Sequence, residues 1–283
     1  MNIDRRALLA AVPGLLAYSA LADEPLAALS DYERDSGGRV GLYAENLATG
    51  SKLAWRADER FVMCSTFKAS LVACVLQRVD RGKSDLSRMI PYTDAELCEY
   101  APVAKKNLDK GAMSVADMCQ AAVELSDNTC ANKLLEVIGG PQAMTQFWRS
   151  IGDTSSRLDH NEPVLNWPPS GNPEDTTTPS AMSGNMRRLV LGDVLQPSSR
   201  ELLTGWMQNC QTGAKRLRAG LPLSWRVGDK TGNNLKDAAG DIAVIWPKAD
   251  QPIIVAAYTQ GGKPTTDQID AVFKAIGQRV ANL

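Results

Sequence analysis

Strand-like alternation is confined to the two ends of this 283-residue chain, and most of what lies between them reads as helix. Near the front, Arg39-Val40-Gly41-Leu42-Tyr43-Ala44 and Lys52-Leu53-Ala54-Trp55-Arg56 lie either side of Ala48-Thr49-Gly50, which predicts a hairpin. Near the back, residues 224–231, 242–247 and 252–258 have strand character, and an amphipathic helix is expected over 266–283. A short helix is expected at 25–35, and longer ones at 67–81, 114–125, 129–138, 141–151, 180–191 and 198–209. Strands supplied by both termini fit best into one shared sheet. The pattern therefore predicts an α+β, sandwich-like fold: an antiparallel sheet with flanking helices, an all-helical lobe inserted in the middle, and a functional cleft between the two. The expected divisions are 23–61 with 210–283 for the sheet lobe and 62–209 for the helical lobe. With 44% hydrophobic residues the chain can bury a sizeable core. Residues 155–178 hold Pro163, Pro168, Pro169, Gly171 and Pro173 with little periodicity, which marks a long irregular loop of the kind that often carries function.

The first residues are read separately. Arg5 and Arg6 precede an apolar run from Ala7 to Leu21, and Ala20-Leu21-Ala22 offers a small-residue cleavage pattern. Residues 1–22 are expected to be an export signal, with the paired arginines allowing the twin-arginine route as well as the general one. Removing Asp4, Arg5 and Arg6 takes the formal charge from −1 to −2. That balance argues against a nucleic-acid or polybasic membrane partner. No later apolar run is long enough to span a bilayer, so the expected product is soluble, monomeric and periplasmic or secreted. Six cysteines would then meet an oxidising compartment, where their pairing cannot be read from spacing. None forms Cys-x-x-Cys and His160 is the sole histidine, which argues against an ordinary zinc site and against a His-based serine triad. Any hydrolytic base must be a lysine, a carboxylate or a tyrosine.

Three short motifs answer that requirement. Ser65 and Lys68 are three apart where a long apolar helical pattern begins, so they share a face at the end where free N–H groups favour an oxyanion. Alone, this is weak, since about one Ser-x-x-Lys is expected by chance in a chain of this size. Ser126-Asp127-Asn128 falls in a break between two helices, and Lys230-Thr231-Gly232 ends an expected strand. The chance expectation of each tripeptide is only about a few hundredths.

With these motifs in order, and with Glu162-Pro163-x-Leu165-Asn166, Asp175-Thr176-Thr177-Thr178-Pro179 and Gly228-Asp229 before the Lys-Thr-Gly, the sequence resembles the class A serine β-lactamases over nearly the whole mature chain. The resemblance implies hydrolysis of β-lactam antibiotics through an acyl-enzyme, with no cofactor and no metal. It implies that Ser65 is the nucleophile, with its own N–H and that of Asn233 facing the oxyanion. Lys68 contacts the nucleophile, and Ser126 returns a proton to the departing ring nitrogen. Either Lys68 or Glu162 could take the first proton. Glu162 and Asn166, one helical turn apart, would hold the water that cleaves the ester, across a Glu162-Pro163 bond that is cis in the family. Lys230, Thr231 and Arg218 would dock the substrate carboxylate, Asn128 its side-chain amide, and Tyr100 would stand at the cleft entrance.

The sequence departs from the family at two places. His160 stands where an arginine usually ties the loop to Asp175, and an imidazole is a weaker, pH-dependent partner. Cys64 lacks a cysteine after the Lys-Thr-Gly, where Asn233-Asn234-Leu235 stands, and Cys74 is out of step with Cys119, so no specific disulfide is expected. A D-alanyl-D-alanine peptidase or transpeptidase, and a penicillin sensor that acylates without turnover, share the three motifs. The Glu162 and Asn166 pair disfavours both.

Overall fold

The computed structural model describes residues 24–169 and 171–283, so the export-signal reading of residues 1–22 lies outside the described residues. Helix α1 (Glu24–Ser36) leads into strands β1 (Arg39–Asn46) and β2 (Lys52–Trp55), and the two-residue strand β3 (Phe61–Val62) then delivers the chain to the helical body. That body runs through α2 (Phe67–Asp80), β4 (Met89–Pro91), α3 (Pro102–Lys106), β5 (Ala112–Ser114), α4 (Val115–Glu124), α5 (Asn128–Ile138) and α6 (Pro141–Ser150). After the irregular loop come β6 (Thr176–Thr177), α7 (Pro179–Met186) and α8 (Pro197–Gln208). The chain returns through β7 (Arg226–Asn233), β8 (Ala238–Trp246) and β9 (Ile253–Gln260) and closes with α9 (Thr266–Val280).

Strands from both termini share one antiparallel sheet in the order β2-β1-β9-β8-β7, with Leu42 opposite Ala257 and Thr231 opposite Asp241. Strand β8 is buried along its whole length because the sheet is covered on both faces. Ile242, Val244 and Trp246 join the core of the helical body, whereas Ala239, Ala243 and Ile245 join the core formed with Leu29, Phe273 and Ile276. One strand therefore belongs to two cores. Helix α2 lies at the centre of the helical body, with eleven of its fourteen residues buried, Lys68 among them.

The structure also departs from the periodicity. Strand β8 begins at Ala238, not at residue 242, because Ala239, Gly240 and Asp241 pair on both sides and Ala238 pairs with Gln260, despite a composition without strand character. Gly240 is required there, since a Cβ would lie 2.7 Å from the Tyr258 ring. The helix expected over 180–191 stops at Met186, and residues 187–191 wind as a π turn with Gly192 N donating to Arg187 O at 3.0 Å. The pair β4–β5 and the five-residue α3 carry too few residues to show a period.

Candidate active site

Ser65 lies in a 3₁₀ turn, Cys64–Thr66, that winds directly into α2, so its side chain is set one turn before Lys68. The turn depends on Cys64 at φ 45°, a left-handed conformation costly for a residue with a Cβ and typical of functional sites. Ser126 also has a positive φ, 59°. Its neighbour Asp127 explains how the break between α4 and α5 is held. Asp127 Oδ1 accepts from Cys130 N at the start of α5, and Oδ2 accepts from Val103 N and Ala104 N at the start of α3, each at 2.9 Å. The aspartate fixes the corner, and the residues on either side of it face the cleft.

Strand β7 approaches Ser65 so closely that only glycine fits at position 232: a Cβ would lie 2.8 Å from Ser65 N and 2.9 Å from Met63 O. Ser65, Ser126, Asn128, Glu162, Asn166, Thr231 and Asn233 thereby line a single cavity of about 510 Å³, with Tyr100, half exposed, at its edge.

Glu162 is the centre of the polar network. Ser65 Oγ donates to Glu162 Oε1 at 3.1 Å, and Lys68 Nζ lies 3.0 Å from the same oxygen, with both charged side chains fully buried. Lys68 Nζ also donates to Ser126 O at 2.8 Å and Asn128 Oδ1 at 2.6 Å. Asn166 Nδ2 donates to Glu162 Oε2 at 2.6 Å, which leaves Asn166 Oδ1 buried and without a partner among the described residues. On the other wall, Lys230 Nζ donates to Ser126 Oγ at 3.1 Å and Thr231 O at 2.8 Å, and burial pulls its pKa down to about 8. Thr231 Oγ1 lies 2.5 Å from Thr212 Oγ1. The peptide Glu162-Pro163 is cis.

Two residues that the sequence did not single out complete the site. The Asn132 side chain accepts from Glu162 N and donates to Glu162 O, both at 2.9 Å, so one amide holds the backbone that carries the carboxylate. Its signal was available, since Asn132 is one helical turn after Asn128 on α5. The second is Arg216, and it accompanies a correction. Arg218, expected at the carboxylate dock, is engaged elsewhere: its Nε donates to buried Asp229 Oδ1 at 2.6 Å, and its Nη2 donates to the carbonyls of Met207, Gln208 and Val227. These contacts hold the Arg218 side chain against Asp229, and it does not line the cavity. Arg216 instead reaches the Lys-Thr-Gly strand, where Nη1 donates to Gly232 O at 3.1 Å and Gly240 O at 3.0 Å.

The loop is closed at its neck by Asp175. Its Oδ1 accepts from Asp159 N and His160 N, and its Oδ2 lies 2.7 Å from His160 Nδ1. The hydrogen bond to Asp175 raises the His160 pKa above 6.5. The sign follows: stability from this contact is fully present below pH 6.5, the unfolded value, and is lost as pH rises through the raised folded value. The stability difference between the wild type and His160→Gln is expected to be largest below pH 6.5 and to shrink as pH rises through the raised folded value. Thermal melts of the two proteins across that range check this, and a constant difference would refute it.

A hydroxyl bonded to a buried carboxylate, two buried amines meeting at a second hydroxyl, and an orphan amide oxygen define a serine acyl-transfer enzyme of the penicillin-interacting type. Comparison with known proteins makes the assignment specific. The model of the β-lactamase enzyme family matches residues 24–283. β-Lactamase L2 of Stenotrophomonas maltophilia is 46% identical over 275 residues, covering 96% of this chain and 90% of that protein. β-Lactamase CTX-M-25 of Escherichia coli is 42% identical over 275 residues, covering 97% and 93%. Among solved structures, an ancestral class A β-lactamase shares 51% identity at a TM-score of 0.86, covering 90% of this chain and 97% of that one. A β-lactamase from Xanthomonas campestris shares 44% at 0.88, covering 92% and 97%. The chain belongs to the β-lactamase enzyme family and, within it, to class A.

Proposed function

We propose that this chain hydrolyses β-lactam antibiotics through an ester on Ser65, and that the hydrolysis confers resistance. The observation that carries the reading is Glu162, whose two oxygens meet Ser65 Oγ and Asn166 Nδ2. A serine enzyme that only captures β-lactam needs no carboxylate beside its nucleophile; one that frees itself needs a base for water. In the proposed sequence the Ser65 proton passes to Glu162, with which it already shares a hydrogen bond, and Oγ attacks the ring carbonyl. The N–H groups of Ser65 and Asn233 receive the oxyanion. Ser126, held between Lys68 and Lys230, delivers a proton to the ring nitrogen as the amide C–N bond breaks. Lys68, between the two, passes the proton held by Glu162 on to Ser126. Glu162, ionised again, then takes a proton from a water that Asn166 Oδ1 also accepts from, the hydroxide attacks the ester carbonyl, and the proton returns to Ser65 Oγ as the C–O bond breaks. Asn128 and Tyr100 contact the acyl side chain.

Lys230 and Thr231 dock the substrate carboxylate, with Arg216 adding positive charge behind the strand in the role first expected of Arg218. Since Lys230 carries its charge only below about pH 8, kcat/KM for carboxylate-bearing substrates is expected to fall above that pH through a rise in KM. Lys230→Arg should move this alkaline limb upward. A limb that stays in place would show that another group sets it.

Counting turnovers per site on a chromogenic cephalosporin tests the whole reading. Many cycles per Ser65 support a β-lactamase, and a single burst would return the chain to the peptidase or sensor alternatives. The same reading places the mature protein in the periplasm or medium as a monomer, after export directed by residues 1–22. Among the described residues no helix is long and apolar enough to cross a membrane. Fractionation of expressing cells, with N-terminal sequencing of the product, tests the export step.

A further inference from the structure

A second cavity, of about 680 Å³, opens between α7, the π turn that follows it and the ends of β1 and β9, and it shares no lining residue with the catalytic cleft. One wall is apolar, made by Leu47, Leu191, Pro252 and Ile254. The other presents the adjacent arginines 187 and 188, supplied by the π turn, a distortion that occurs often at functional sites.

The two guanidinium groups are poorly neutralised. Arg188 has no hydrogen-bond or ion-pair partner among the described residues, and its guanidinium folds back over Gly184, where a Cβ would lie 3.1 Å from Nη1. Arg187 Nη1 is 3.9 Å from Glu45 Oε1, the one acidic group lining the cavity, and that carboxylate already has Lys52 Nζ at 3.7 Å and accepts from Tyr43 Oη at 3.1 Å. The buried Ser183 hydroxyl, on the same wall, also lacks a partner among the described residues. Arginine donors without acceptors beside an apolar surface suit an anion with a hydrocarbon body.

We propose that this cavity binds a small amphiphilic carboxylate, its head between Arg188 and Arg187 and its apolar body against Leu191 and Ile254. The site is separate from Ser65, and its occupancy does not require the reaction assigned there. Octanoate is the probe, titrated into the wild-type protein by calorimetry, with octanol and octyltrimethylammonium as neutral and cationic controls.

Saturable octanoate binding is expected, weakened about tenfold in Arg188→Ala through loss of a charged hydrogen bond, with weak or absent binding of both controls. Leu191→Trp, which fills the apolar wall and leaves the arginines in place, should also weaken it. Cephalosporin turnover should be unchanged by octanoate in the wild type and unchanged in both variants. Absence of saturable binding at millimolar octanoate, equal binding of octanol, unaltered affinity in both variants, or competition with β-lactam turnover would each overturn the proposal. Loss of turnover on a cephalosporin in the untreated wild type would instead count against the catalytic reading alone.

Discussion

Glu162→Gln is expected to acylate with a β-lactam and then stop. The substitution keeps the shape of the side chain and its contact with Asn166, but removes the carboxylate that accepts from Ser65 and pairs with Lys68. Acylation retains a second route through Lys68, set one turn after Ser65 on the same face. The other carboxylate that lines the cavity, Glu99, makes no contact with Ser65 or Asn166 among the described residues, so it does not replace Glu162 in deacylation. Acylation should therefore slow modestly, while hydrolysis of the ester falls by about 10²–10⁴. Mass spectrometry of the variant mixed with excess penicillin should show the protein carrying one intact acyl group, persisting for minutes or longer. A variant that cycles without accumulating adduct would remove Glu162 from the deacylation step.

The second large effect concerns Lys68. Its side chain and that of Glu162 are both buried. Replacing Lys68 by methionine fills the same volume but strands a buried carboxylate, at a cost of about 3–5 kcal/mol in folding stability. Residual turnover should be lower by about 10²–10⁴. The double variant Lys68→Met with Glu162→Gln carries neither charge and should recover most of the lost stability. Denaturation of the four proteins in the cycle decides this; additive losses would show that the pair is not coupled.

How much of this was legible beforehand depended on how local each signal is. Ser65 with Lys68, Ser126 with Asn128, and Lys230 with Thr231 are spaced by one to three residues, and the structure brings all three groups to one cavity. Glu162 and Asn166 were readable for the same reason, being one helical turn apart. The carboxylate dock was not. Arg216 and Arg218 flank Leu217 in a stretch without period, and only the buried carboxylate of Asp229, on β7, decides which guanidinium is captured and which reaches the Gly232 end of that strand. Asn132 was overlooked because its partner is the Glu162 backbone, which carries no letter of its own. The early start of β8 was hidden by small residues whose strand state is set by the neighbouring strands.

The sheet order sets a timetable for biosynthesis. The segment that supplies Lys230 pairs with β8 alone, β8 with β9, and β9 with the first strand of the chain. A nascent polypeptide whose first two hundred or so residues have emerged already contains Ser65, Lys68, Ser126 and Glu162, yet it has nowhere to seat the strand that closes their cavity. Reactivity must therefore switch on late, once the last hundred residues or so are released and β9 has joined the two ends. The emerging chain is thereby without a complete cavity until its end has joined its beginning.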